Sequence, residues 1–225
     1  HPDTLRLIKG MKHTAKELSP ERVLEEWRKL LLKADRPSVG LDFLKESEWI
    51  ENFPELVPLE STPQHPDWHP EGDVWVHTKQ IVDAAAQTRH RVPEHQREGF
   101  VFGAMLHDVG KPVTTVTPED VAAGRFPKER LYTAHAHDAK GAPLARQFME
   151  RMKASKKTTA LAEVLVGAHM QPYTLKSGKA GRAAYARLSR KLRKGGADFG
   201  VLAVLSQCDA CATGQGRHFH HGEPD

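Results

Sequence analysis

Six residues in the middle and C-terminal parts of the chain carry side chains suited to holding a divalent cation: His77, the adjacent pair His107 and Asp108, His137, His169 and Asp209. Imidazole and carboxylate without thiolate suit Mn, Fe, Co, Ni or Zn, with Mg also possible, and one carboxylate is able to bridge two ions. Taken singly, each residue also reads as a hydrogen-bonded polar group on a half-buried helix. Together they outweigh that reading. Asp209 lies among Val204, Leu205, Cys208 and Ala212, where burying an unpaired carboxylate is costly, so it is expected to have a cationic or metal partner. His169 follows the apolar run Val164 to Ala168, and the pair His107-Asp108 closes an apolar helix that Gly110 and Pro112 end.

Other residues offer supporting chemistry. Lys111, just past the His-Asp pair, is placed either to neutralise a phosphate oxygen or to be a solvated loop lysine. Glu71 and Asp73 precede His77 and are read either as orienting a ligand or as solvated loop carboxylates. From Lys176 to Lys194 the chain holds Lys176, Lys179, Arg182, Arg187, Arg190, Lys191, Arg193 and Lys194 with no acidic residue. Such a block is either a solvated face or, with Arg182 and Arg187, a surface that attracts polyanions. Trp68 and Trp75 are read as core or surface anchors, with base stacking as the alternative. Cys208 and Cys211 are read as small core residues, and no role is assigned to His218, His220 and His221.

The elements that must position these residues are helical. Residues 20–34 put Val23, Leu24, Trp27, Leu30 and Leu31 on one stripe, with Ser19 as N-cap and Pro20 at the first helical position. Further helices are expected at about 38–50, 73–90, 94–108, 134–153, 158–170, 180–194 and 197–212. Prolines 54, 58, 63, 66 and 70 break the chain between them. The best strand candidate, Val113–Thr117, lies between Pro112 and Pro118 and reads as part of a loop to about 132 that shapes the substrate pocket.

With 39% hydrophobic and 28% charged residues in 225, the composition is that of a globular chain, and no segment reaches the roughly 20 apolar residues of a membrane span. The net charge of +4 is mild. Two cysteines argue against a stapled secreted scaffold, so a cytoplasmic setting is expected. The absence of an initiator Met is expected of a piece of a longer protein. The oligomeric state is not fixed by the sequence.

The order His77, His107-Asp108, His137, His169, Asp209 resembles the HD superfamily of metal-dependent phosphohydrolases. His-Pro-Glu-Gly-Asp-Val-Trp-Val-His-Thr (69–78), Leu-His-Asp-Val-Gly-Lys-Pro (106–112) and His-Asp-Ala-Lys-Gly-Ala (137–142) resemble the HD domain of bacterial CCA-adding tRNA nucleotidyltransferases. Residues 19–31 resemble the neck of those enzymes. Where the family usually shows Gly-His-Glu, this chain has Ala136-His137-Asp138. No Gly-rich turn with paired Asp-x-Asp carboxylates precedes the neck, so this chain alone is not expected to add CCA.

The resemblance implies an all-α fold: an HD-domain-like helical bundle with a small N-terminal helical neck. Its expected division is a neck-like segment at 1–55, a Pro-rich linker at 56–72, an HD domain at 73–213 and a flexible tail at 214–225. It implies one metal held by His77, His107, Asp108 and Asp209, with Asp108 bridging to a second held by His137 and His169. Asp108 and Lys111 are the expected catalytic residues. The implied activity is hydrolysis of nucleotides or of RNA terminal or 2′,3′-cyclic phosphates by a metal-activated water. The alternative is a non-catalytic or accessory tRNA-binding body.

Overall fold

The computed structural model describes residues 2–176 and 180–213. Among them there is no strand; Thr115 and Ala134 form one isolated antiparallel bridge. The helices in chain order are α1 (Pro2–Gly10), α2 (Pro20–Lys33), α3 (Pro37–Glu46), α4 (Val74–Thr88), α5 (Glu94–Leu106), α6 (Pro118–Ala122), α7 (His137–Arg151), α8 (Lys156–Val166), α9 (Gln171–Lys176), α10 (Arg182–Lys194) and α11 (Phe199–Ala212). Short 3-10 turns join several of them.

The local chemistry explains where these helices begin. Ser19 accepts from Arg22 N at the start of α2, with Pro20 inside the first turn; Asp73, Ser155 and Asp198 cap α4, α8 and α11 in the same way. Leu24, Trp27 and Leu31 bury one stripe of α2, while Val23 and Leu30 pack partly buried against the same core.

That core runs through both parts of the chain. Trp27 meets Phe53 and Phe148 edge-on at centroid distances of 5.0 and 5.9 Å, and Phe148 lies 6.4 Å from Phe102. Helix α2 therefore buries its apolar stripe against α7 and α5. Helix α5 is packed along α8 at two glycines: a Cβ on Gly99 would lie 2.6 Å from the Leu161 side chain and one on Gly103 3.2 Å from that of Leu165.

Several expectations are corrected. The expected helix at 38–50 stops at Glu46, because Glu48 adopts left-handed backbone at φ 62° before a 3-10 turn. Helices α5 and α8 end at Leu106 and Val166, so His107, Asp108 and His169 stand on turns just past helix ends. The segment 113–132 contains α6, closed by a capping box between Thr117 and Asp120, and a 3-10 turn at Lys128–Arg130. Cys208 is buried with Val204, Leu205 and Ala212 on α11 whereas Cys211 is exposed, so only Cys208 is a core residue. The Lys176 side chain, Lys179, the tail at 214–225 and its histidines 218, 220 and 221 lie outside the described residues. No helix among the described residues is long and apolar enough to cross a membrane.

Candidate metal centre

Four helix ends and one helix interior bring the histidines and carboxylates together. His77 projects from the first turn of α4, His107 and Asp108 follow α5, His137 opens α7, His169 follows α8, and Asp209 lies near the end of α11. All six are buried, from 0% exposed for His77 to 9% for Asp209.

The ligand atoms form two groups. In the first, His77 Nε2 lies 3.2 Å from His107 Nε2 and 3.0 Å from Asp209 Oδ1. In the second, His137 Nε2 lies 3.0 Å from His169 Nε2 and 3.3 Å from Asp108 Oδ1. Asp108 joins them, since its Oδ2 lies 3.1 Å from His107 Nε2 and 3.8 Å from His77 Nε2.

The proton positions show what such a cluster fits. His107, His137 and His169 each set Nδ1 at 2.7–2.9 Å from the carbonyl oxygen three residues earlier, those of Ala104, Ala134 and Val166. A carbonyl only accepts, so each Nδ1 carries the proton and donates. Glu71 Oε1 does the same for His77 Nδ1 at 2.9 Å. When the rings are neutral, four Nε2 electron pairs converge on two buried carboxylates, and lone pairs facing at 3.0–3.2 Å are matched by a metal ion between them or, in its absence, by an added proton. In addition, Asp108 Oδ2 is buried with no aligned hydrogen bond, although Lys111 Nζ lies 2.7 Å away. The donor set fits divalent first-row ions.

Without an ion the electrostatics draw protons into the same place: burial pushes His77 and His137 down, but hydrogen bonds with Asp209 and Glu71 raise His77 to about 9 and Asp108 raises His137. Burial opposes ionisation of Asp108, but the charges of His107 and Lys111 prevail and hold its carboxyl well below the usual range. Asp209 is likewise held low against burial, by its hydrogen bond with His77 and the charge of His107. Burial pushes His169 down to about 4, with the charge of His107 adding to it.

Lys111 is not solvated: its side chain is 9% exposed and its Nζ also donates to Gln64 Oε1 at 2.6 Å. Glu71 touches His77 directly, whereas Asp73 serves as the cap of α4 through Val76 N. Arg182 and Arg187 are exposed on α10 and do not line the cleft over the cluster. Trp75 is core, while Trp68 is exposed at the cleft. Sequence reasoning missed three neighbours. His69 Nδ1 lies 2.8 Å from Glu71 and its Nε2 3.4 Å from Lys111 Nζ, Gln64 holds Lys111, and Tyr173 donates to Asp209 Oδ2 at 3.2 Å. Only His69 had a visible signal, as the first residue of the motif at 69–78.

Gly110 lets the two groups meet. A Cβ there would lie 2.1 Å from the His137 carbonyl oxygen and 2.6 Å from Gly141 N, so only glycine allows the backbone after Asp108 to touch the start of α7.

A family model described as HD domain matches residues 74–208. The chain belongs to the HD domain family. HD domains are in general metal-dependent phosphohydrolases. A second model, described as "Probable RNA and SrmB- binding site of polymerase A", matches residues 1–59. The HD domain and the segment before it are together similar to multifunctional CCA proteins: 30% identical over 220 residues in Cupriavidus metallidurans, covering 95% of this chain and 47% of that protein. The similarity is 32% over 164 residues in Hahella chejuensis, covering 72% of this chain and 34% of that protein. In Acidovorax sp. it is 30% over 215 residues, covering 93% and 45%. This order agrees with the neck plus HD domain of CCA-adding enzymes. The chain spans less than half the length of each of these relatives.

Proposed function

We propose that the protein hydrolyses phosphate esters, mono- or diesters, of nucleotides or of RNA terminal or 2′,3′-cyclic phosphates, using one or two divalent ions. The observation that carries this reading is the Asp108 carboxylate, buried between the two histidine groups at 3.1 Å from His107 and 3.3 Å from His137. Among the described residues it is the one carboxylate within 4 Å of histidines of both groups.

His77, His107 and Asp209 on one side, and His137 and His169 on the other, with Asp108 between them, would hold divalent ions, which when bound would acidify a water towards neutrality and polarise a phosphoryl oxygen. The chain's own groups do the rest. The backbone carbonyls of residues 104, 134 and 166, and Glu71, keep the imidazole protons on Nδ1 and so leave every Nε2 free to ligate. Lys111, held between Asp108 and Gln64 at the wall of the cleft, is placed to offset charge growing on a non-bridging phosphate oxygen. The cleft, of about 380 Å³, is large enough for a nucleotide-sized ligand.

The test is elemental analysis of freshly purified protein alongside a phosphomonoester and phosphodiester panel with added Mn, Ni, Co and Mg. Asp108→Asn is expected to abolish turnover while leaving the fold intact. Retained turnover of that variant in a metal-verified sample would sink the reading.

A second reading, an RNA- or tRNA-binding body, is favoured by the RNA-binding match over 1–59 and by the exposed cations of α10, including Arg182 and Arg187. It predicts salt-dependent RNA affinity that survives complete metal removal.

A further inference from the structure

The cleft over the ligand cluster carries a feature that phosphate chemistry does not use. Its floor is polar, with Asp108, His137, His169 and Asp209, and Lys111 stands in its wall. Three aromatic side chains from three separate segments also line it: Trp68 from the turn before α4, Tyr132 ahead of α7 and Tyr173 on α9. Tyr173 is fixed by the hydroxyl it donates to Asp209 Oδ2 at 3.2 Å.

Trp68 stands apart from the other tryptophans. Trp27 and Trp75 are 3% exposed, and Trp49 is half-buried with its Nε1 donating to Ile8 O. Trp68 is 64% exposed, and its indole makes no hydrogen bond or ring contact among the described residues. Among the described residues this ring takes no part in the hydrophobic core. A phosphate alone needs only the floor and Lys111, and would leave most of the roughly 380 Å³ unfilled.

We propose that Trp68 is a specificity-determining residue that stacks the base of a nucleoside phosphate, with Tyr173 and Tyr132 lining the rest of the base's path and the phosphate lying over Asp108. The inference rests on the hydrolytic reading only for where the phosphate lies. Every base offers a π-face, so this contact selects for the presence of a base rather than its identity. A free nucleotide and an RNA end share that chemistry.

The experiment uses the whole chain loaded with Mn²⁺. The ratio of kcat/KM for adenosine monophosphate to that for ribose 5-phosphate is compared in wild type, Trp68→Ala and Trp68→Phe. The ratio is expected to fall about 5- to 100-fold in Trp68→Ala, chiefly through KM, and to recover in Trp68→Phe, which keeps a π-face. Intrinsic fluorescence provides a readout that needs no turnover: adenosine monophosphate is expected to quench wild type, ribose 5-phosphate is not, and Trp68→Phe loses the effect. Quenching without turnover would uphold Trp68 and reject the hydrolytic reading. Turnover with an unchanged ratio in Trp68→Ala, together with unchanged turnover of the oligonucleotide described next, would overturn the role of Trp68 and leave hydrolysis standing. A short oligoribonucleotide ending in a phosphate separates the sources. A Trp68 effect with the mononucleotide marks a free nucleotide, one confined to the oligonucleotide marks an RNA end, and an effect with neither overturns the inference.

Discussion

Glu71 divides the work of the two nitrogens of His77. By accepting from Nδ1 at 2.9 Å it fixes the proton there, and Nε2 is left to face His107 and Asp209. Glu71→Gln keeps the shape but offers Nδ1 a weaker, uncharged acceptor that is free to turn its amide. Metal affinity is expected to fall about 10- to 100-fold, read by titration of metal-stripped protein. The same histidines give the metal-free protein a signed pH dependence. His169 is held neutral down to about 4 by burial and the charge of His107. The unfolded chain takes up that proton first, so folding stability falls as pH drops from 6.5 to 4, by about 3 kcal/mol for this residue. His77 has the opposite sign. Burial pushes it down, but hydrogen bonds with Asp209 and Glu71 prevail and raise it to about 9, so its stabilisation is complete below 6.5 and fades as pH rises towards 9. Denaturant midpoints of metal-free protein against pH, compared with His169→Phe, check the acid limb; parallel profiles between pH 4 and 6.5 would contradict it.

At the scale of elements, the two halves of the site meet where the turn after α5 abuts the start of α7, and that junction is tight. Gly110→Ala would drive a methyl into the His137 carbonyl and Gly141, so α7 must shift. The expected result is a loss of about 2–4 kcal/mol of stability and of the metal held by His137 and His169, measured by unfolding and by metal stoichiometry. One residue before His137 the opposite change helps. Ala136 is held at φ 59°, ψ 24°, left-handed backbone that an alanine adopts at some cost. Ala136→Gly is expected to raise stability by up to about 1 kcal/mol while leaving metal binding intact. It would restore the glycine that precedes this histidine in the motif that the sequence resembles.

At the scale of the whole molecule, the N-terminal helices and the HD domain share one core through Trp27, Phe53, Phe148 and Phe102. Trp27→Ala is expected to lower unfolding free energy by about 3–5 kcal/mol. Because the ring packs on α7, which also carries His137, the variant should lower the melting temperature of a single transition rather than release a separate early one. A distinct low-temperature transition in calorimetry would show that the N-terminal segment melts independently.

The sequence by itself determined the helical class and most helix starts, because a capping group such as Ser19 and apolar periodicity act over one or two turns. It also named the six histidines and aspartates, since burying an isolated carboxylate such as Asp209 demands a partner that only a few residue types supply. Tertiary structure decided the rest. That Lys111 is buried on Asp108 and Gln64, that Glu71 serves His77 while Asp73 only caps a helix, and that Trp68 is open where Trp75 is core all depend on which distant segments meet. Gln64 and Lys111, or Tyr173 and Asp209, are dozens of residues apart, and no local rule of spacing encodes their contact. The separation of the ligands into two groups around Asp108 depends on the close approach of Gly110 to α7, and packing alone sets that distance.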